Sequence, residues 1–169
     1  MKTHFSYGHT RLACYIGYII QSAVNTLPPL LFLTFQREFS ISLEAITMLI
    51  TLNFGTQLLT DLTFSKVADR IGYRAGALLS HALAFLGLFF YGFLPYTLEN
   101  PYLGLAIATV TNAVGGGLAE VLISPIIESL PGEHKSAKMS LLHAMYCWGQ
   151  VGVILLSTLY FTTIGTHHW

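Results

Sequence analysis

The chain has 169 residues, of which 53% are hydrophobic and 9% charged, and its mean hydropathy is +0.60; so few charges cannot solvate the surface of a soluble domain of that size. A formal net charge of zero argues against nucleic acid or any strongly acidic partner. The composition places the chain in a membrane, where the informative quantity is the position of each charge.

Charge-free apolar runs near or above the roughly 20 residues that cross hydrocarbon predict an all-α integral membrane fold. Five transmembrane helices are expected, at about residues 12–35, 42–65, 75–98, 102–127 and 139–164. The first run follows Lys2 and Arg11, but it is too long for the apolar core of a secretory signal and contains Gln21, Asn25 and Pro28–Pro29. It is read as a retained span, with Tyr18, Gln21, Ser22 and Asn25 on one side. The second is a full span only if it extends through Asp61. There Asn53, Gln57 and Asp61 recur every four residues and fall within an arc of about 80°, a wall that is either wet or hydrogen-bonded to neighbouring helices. Asp61, about a turn from the helix end, could also snorkel toward the interface.

The third run is polar only at Ser80, His81 and Tyr91 before Tyr96 and Thr97, which places it at the outside of a bundle. In the fourth, Asn112, Gly116, Glu120 and Ser124 form a broad polar stripe. Gly115 to Gly117 permit close approach of another backbone or a solute, and Pro125 frees a carbonyl and bends the helix below Glu120. The triple glycine is not a phosphate loop, since no Lys-Ser/Thr follows it. No lysine or arginine lies near Glu120 in sequence. An acid at a helix centre costs roughly 2.5 to 3.5 kcal/mol to insert, so Glu120 is expected to be protonated, paired, or facing water inside the bundle. The bland alternative is a neutral acid bonded to a neighbouring helix.

The fifth run carries His143, Tyr146, Cys147 and Gln150 on one side, so four polar-faced helices can enclose a polar cavity; taken singly, His143 reads as well as a satisfied core histidine. Cys14 and Cys147 stand on different helices at different depths, with neither disulfide nor metal spacing, and are read as packing residues. No cofactor or metal is expected. With the amino terminus cytoplasmic, the inner segments hold Lys2, Arg11, Lys66, Arg70, Arg74, Lys135 and Lys138 and the outer ones only Arg37, a positive-inside distribution that suits a multi-pass plasma-membrane protein.

Residues 65–76, SKVADRIGYRAG, resemble the signature loop of the major facilitator superfamily, a pattern close to G-x-L-A-D-R-x-G-R-K. Ala68, Asp69, Arg70 and Gly72 match and Arg74 falls on the last basic position, while Ser65 replaces the leading glycine and Tyr73 the first basic residue. Residues 115–152, GGGLAEVLISPIIESLPGEHKSAKMSLLHAMYCWGQVG, are similar to the fourth and fifth helices of the fucose-permease-like sugar porters in that superfamily. Glu120, Pro125, Leu141, Leu142 and His143 fit that pattern; Ser124 replaces an Asn before the proline, and Met139 and Ser140 stand where the pattern has Leu-Asn.

The resemblance implies a twelve-helix transporter of two six-helix halves alternating access around a midplane site. It implies proton-coupled symport of a sugar or similar small polar solute, not an enzyme. Glu120 would be the proton-coupling acid, Gln21, Asn25, Asn53, Gln57, His143 and Gln150 the solute-binding set, and Asp69, Arg70, Gly72, Arg74 and Glu128 the cytoplasmic gating loop and latch. The first helix lacks the acid that fucose-type porters carry there. The chain stops at Gly165 to Trp169, about where a sixth span should start, so it is expected to be an incomplete amino-terminal half whose partners are the lipid bilayer and a missing carboxy-terminal half. Two other readings are a small five-helix membrane assembly or scaffold protein, and an intramembrane enzyme using His143 and Cys147 with Glu120.

Overall fold

A computed structural model of the chain describes residues 6–66 and 68–165, the side chains of Ala68 and Asp69 excepted. Five long helices and one short one follow in order: α1 (Tyr7–Glu38), α2 (Leu43–Phe64), α3 (Ala68–Ile71), α4 (Tyr73–Thr97), α5 (Pro101–Ser129) and α6 (Lys135–Thr163). No strand occurs among the described residues. Four of the helices, α1, α4, α5 and α6, are long and apolar enough to cross a membrane. The 22 residues of α2 fall short of that standard because Asn53, Gln57 and Asp61 interrupt their apolar run. Residues 166–169, where the start of a sixth helix was expected, lie outside the described residues.

Local chemistry sets the helix ends. Ser42 Oγ accepts the Ala45 N–H at 3.2 Å to start α2, and Asn100 Oδ1 accepts that of Leu103 at 3.3 Å, with Pro101 in the first turn, to start α5. Between α3 and α4, Gly72 adopts φ +82°, a left-handed conformation open to glycine at no steric cost. α1 and α6 begin at Tyr7 and Lys135, several residues before their apolar runs, whereas α2 (Leu43–Phe64) stays within its predicted bounds.

Three prolines or proline pairs lie inside helices without breaking them: Pro28–Pro29 in α1, Pro95 in α4 and Pro125 in α5. Pro28 cannot donate to the carbonyl of Val24 one turn earlier. The Asn112 side-chain amide of α5 donates to that carbonyl instead, at 3.2 Å.

The centre of the bundle is α5, which packs against α4, α2, α1 and, less extensively, α6. Against α4 the backbones nearly touch. A Cβ on Gly87 would lie 2.5 Å from Asn112 Cα, and one on Gly115 2.5 Å from the Ala84 nitrogen. The other main pairing sets α6 on α1, where a Cβ on Gly149 would collide with Ser22 Oγ. Such small-residue contacts are how membrane helices associate when lipid offers no hydrophobic drive. The outer faces of α2, α4 and α6 remain apolar: Leu59, Phe85 and Leu156 are 66%, 69% and 69% exposed. Thus α4 covers α5 with one face and turns the other outward.

Two apolar clusters cap the ends. One joins Leu31, Phe32, Phe35, Ile46, Leu49, Tyr91, Leu105 and Ala108; the other joins Cys14, Tyr18, Ala119, Ile123, Ile127, Leu130 and Leu142. Along both α1 and α5 the strongly polar residues Gln21, Asn25, Asn112 and Glu120 lie at or between these clusters.

Candidate functional site

Between the apolar ends α1, α2, α5 and α6 enclose a cavity of about 370 Å³, lined by Asn25, Asn53, Gln57, Asn112, Glu120, Tyr146 and Gln150 with Pro28, Pro29, Phe32, Ile50 and Phe54, and with Tyr91 of α4. A smaller space of about 160 Å³ is lined by Tyr18, Gln21, Glu120, His143 and Tyr146. Glu120 and Tyr146 line both. Volumes of this order, with a few convergent polar groups on an otherwise apolar wall, suit small-molecule binding.

A glycine makes the site possible. A Cβ on Gly116 would stand 3.0 Å from Asn25 Oδ1, 3.0 Å from Gln57 Nε2 and 3.1 Å from Gln21 Nε2, so the bare backbone of α5 lets three amides from two helices converge on it. The Gln21 amide donates to the Gly116 carbonyl at 2.7 Å. Gln57 donates to Asn25 Oδ1 at 3.0 Å, and Asn25 donates to the Tyr146 hydroxyl at 3.1 Å. Asn25 therefore links α1 to both α2 and α6. On the other side, the Tyr18 hydroxyl and Ser124 Oγ lie 2.7 Å apart, and the Tyr18 ring meets those of His143 and Tyr146 edge-on at 5.7 and 5.9 Å.

The predicted residues thus divide into two groups. The Gln21, Asn25 and Gln57 side chains are engaged in bonds that hold helices together. Asn53, Gln150, His143 and Glu120 have no hydrogen bond among the described residues, and all four line one of the two spaces. Glu120 is exposed although Gly115 to Ala119, immediately before it, are buried. Its carboxylate opens onto the cavity without an ion-pair partner among the described residues, and Tyr18 and Tyr146 line the smaller space with it.

Asp61 lines neither cavity and is partly buried: its Oδ1 is buried without a partner among the described residues, against Gly117. One placement corrects the sequence reading. Cys147 is exposed and lines neither space, so it is not a core packing residue of this chain and does not join Glu120; Cys14 is buried. Sequence reasoning also missed the role of Asn112, which Pro28 could have signalled, since a proline inside a membrane helix demands a donor from elsewhere.

The gating residues lie apart from the cavity. Arg70, Arg74 and Glu128 are exposed, and no ion pair joins either arginine to Glu128 among the described residues. Arg74 lines a separate groove of about 730 Å³ between α1, α4 and α5, whose wall is largely apolar. The Asp69 side chain lies outside the described residues. No cluster of three His, Cys, Asp or Glu side chains is placed to hold a metal among the described residues.

No curated protein and no solved structure matches this chain. Comparison with protein families matches residues 14–169 to the Major Facilitator Superfamily. Apolar helices around an internal polar cavity and a match over nearly the whole chain agree: this is a multi-pass membrane protein, and the chain belongs to the Major Facilitator Superfamily of transporters.

Proposed function

We propose that the protein is a proton-coupled symporter of a sugar or similar small polar solute, with α2 crossing the membrane as a further span and the amino terminus in the cytoplasm. The observation that carries this reading is Glu120: a carboxyl in a membrane helix, unpaired among the described residues and opening onto a cavity lined by amides and a phenol. Intramembrane acids that face water inside a bundle characteristically serve proton or ion pathways. The likeness of residues 115–152 to fucose-permease-like sugar porters supports the solute class.

In this scheme solute hydroxyls bond to Asn53, Gln57 and Gln150, and they compete for Asn25 with its links to Gln57 and Tyr146. Because Asn25 ties α1 to α2 and α6, solute binding changes contacts between helices, as a ligand must if it is to bias a conformational equilibrium. Glu120 takes a proton from cavity water. Its neutral form can then pass through a closed, dry intermediate that its charged form resists. His143, Tyr18 and Tyr146 surround the proton-binding side of the cavity, and Asp69, Arg70, Gly72, Arg74 and Glu128 form the cytoplasmic gate.

The test uses the protein as cells make it, reconstituted in liposomes and assayed with radiolabelled hexoses and deoxyhexoses. Glu120→Gln should lower accumulation driven by a proton gradient about tenfold or more, corresponding to about 1.4 kcal/mol or more of lost driving force, while solute exchange at equal pH persists. Unchanged accumulation would show that Glu120 does not couple the proton.

A further inference from the structure

Asp61 is the one carboxyl of α2 that lies within the bundle, and the cavity does not use it. It sits where α2 meets α5. A Cβ on Gly117 would stand 3.1 Å from Asp61 Oδ1 and 3.0 Å from Thr60 Cβ, so the absence of a side chain at Gly117 is what admits the carboxyl. Nothing described satisfies that oxygen. Oδ1 is sealed from solvent without a hydrogen bond, and the neighbouring Thr60 hydroxyl donates to the Thr56 carbonyl at 2.8 Å. Glu120 on α5 stands one turn beyond Gly117, the glycine that Asp61 Oδ1 meets, and α1 places the uncharged Gln21 and Asn25 one residue before that glycine, at Gly116.

An ionised carboxylate with one oxygen shut against a glycine backbone and a second acid nearby is doubly disfavoured, by desolvation and by like charge. A protonated carboxyl tolerates both. We propose that Asp61 is a second proton-holding site coupled to Glu120, nearer the cytoplasmic end of the bundle; this rests on the proton-symport reading of Glu120 and deepens it. Proton transfer between the two breaks the O–H bond at Glu120 and forms one at Asp61, while the negative charge passes the other way. Glu120 exchanges protons with cavity water, and Asp61 holds one where α2 and α5 are packed. Movement of α2 away from Gly117 would open the buried Oδ1 to the cytoplasmic side and release that proton.

The chain contains two aspartates, Asp61 and Asp69, so infrared spectra of the intact protein in lipid, with carboxyl-labelled aspartate, can follow Asp61 directly without knowledge of the solute. A labelled carboxylic-acid band should appear as pH falls. It should vanish in Asp61→Asn, and in Glu120→Gln its midpoint should shift by about one pH unit. If Asp61→Asn does not fold, persistence of the band in Asp69→Asn makes the same assignment. A band that does not titrate, or whose midpoint ignores Glu120→Gln, overturns the inference. A coupled band together with unimpaired proton-driven accumulation in Glu120→Gln would leave the acid pair standing and remove the symport reading.

Discussion

Asn112 shows how one residue type can belong to a fold and to a site at once. Pro28 leaves the Val24 carbonyl without its donor, and Asn112 supplies one across the helix boundary at 3.2 Å while also lining the cavity. Such a bond is worth about 0.6 to 2 kcal/mol between membrane helices. Asn112→Leu should therefore destabilise the protein by about that amount in detergent unfolding. In a Pro28→Ala background, where the backbone N–H returns, the same substitution should cost clearly less. Equal costs in both backgrounds would mean that Asn112 does not act through the proline-freed carbonyl.

At the scale of elements, the packing of α4 on α5 depends on missing side chains at chosen positions. Gly87 and Gly115 have partner backbone atoms 2.5 Å from where a Cβ would stand, whereas Gly92 of the same α4 and Gly55 of α2 have nothing within 4 Å. Gly87→Val should separate α4 from α5 and cost about 1 to 3 kcal/mol. Gly92→Val should leave the folded fraction close to wild type, and both outcomes can be read from monodispersity and melting in detergent. The contrast is invisible in sequence, where both are glycines in one apolar run. Exposure differs in the same way: α4 hides Ser80, Ala84, Gly87 and Tyr91 and exposes Leu78 and Phe85, a division set by α5 as its neighbour.

Across the whole molecule, the seven basic residues assigned to one side and the single Arg37 assigned to the other are the basis for the proposal that the α2–α4 connection lies in the cytoplasm. Single cysteines placed at Arg70 or Tyr73 in a cysteine-free background should react with a membrane-impermeant thiol reagent in inside-out vesicles and resist it in intact cells. A cysteine at Asn100, before α5, should show the opposite pattern. Matching accessibility on both sides would contradict the proposed topology. With that orientation, the apolar cluster around Phe35 and Leu105 closes the outer end and the cluster around Ile123 and Leu142 the inner one, with the amides and Glu120 toward the middle.

The sequence by itself determined that this chain is helical and membrane-embedded, because apolar length and scarce charge admit little else, and its loop at residues 65–76 already pointed to the family. It also singled out Glu120, since an isolated acid in an apolar helix has few ways to exist. Only the tertiary structure decided which polar groups meet. Helical periodicity states which side of a helix is polar but not which neighbour that side faces. For that reason Gln21 and Asn53, alike on paper, differ: Gln21 donates to the Gly116 carbonyl, whereas Asn53 lines the larger cavity with no hydrogen bond among the described residues, and Asp61, on the same polar wall as Asn53, has one carboxyl oxygen buried against Gly117. Contacts between helices distant in sequence depend on shape at particular glycines, and no single helix encodes its partner's surface.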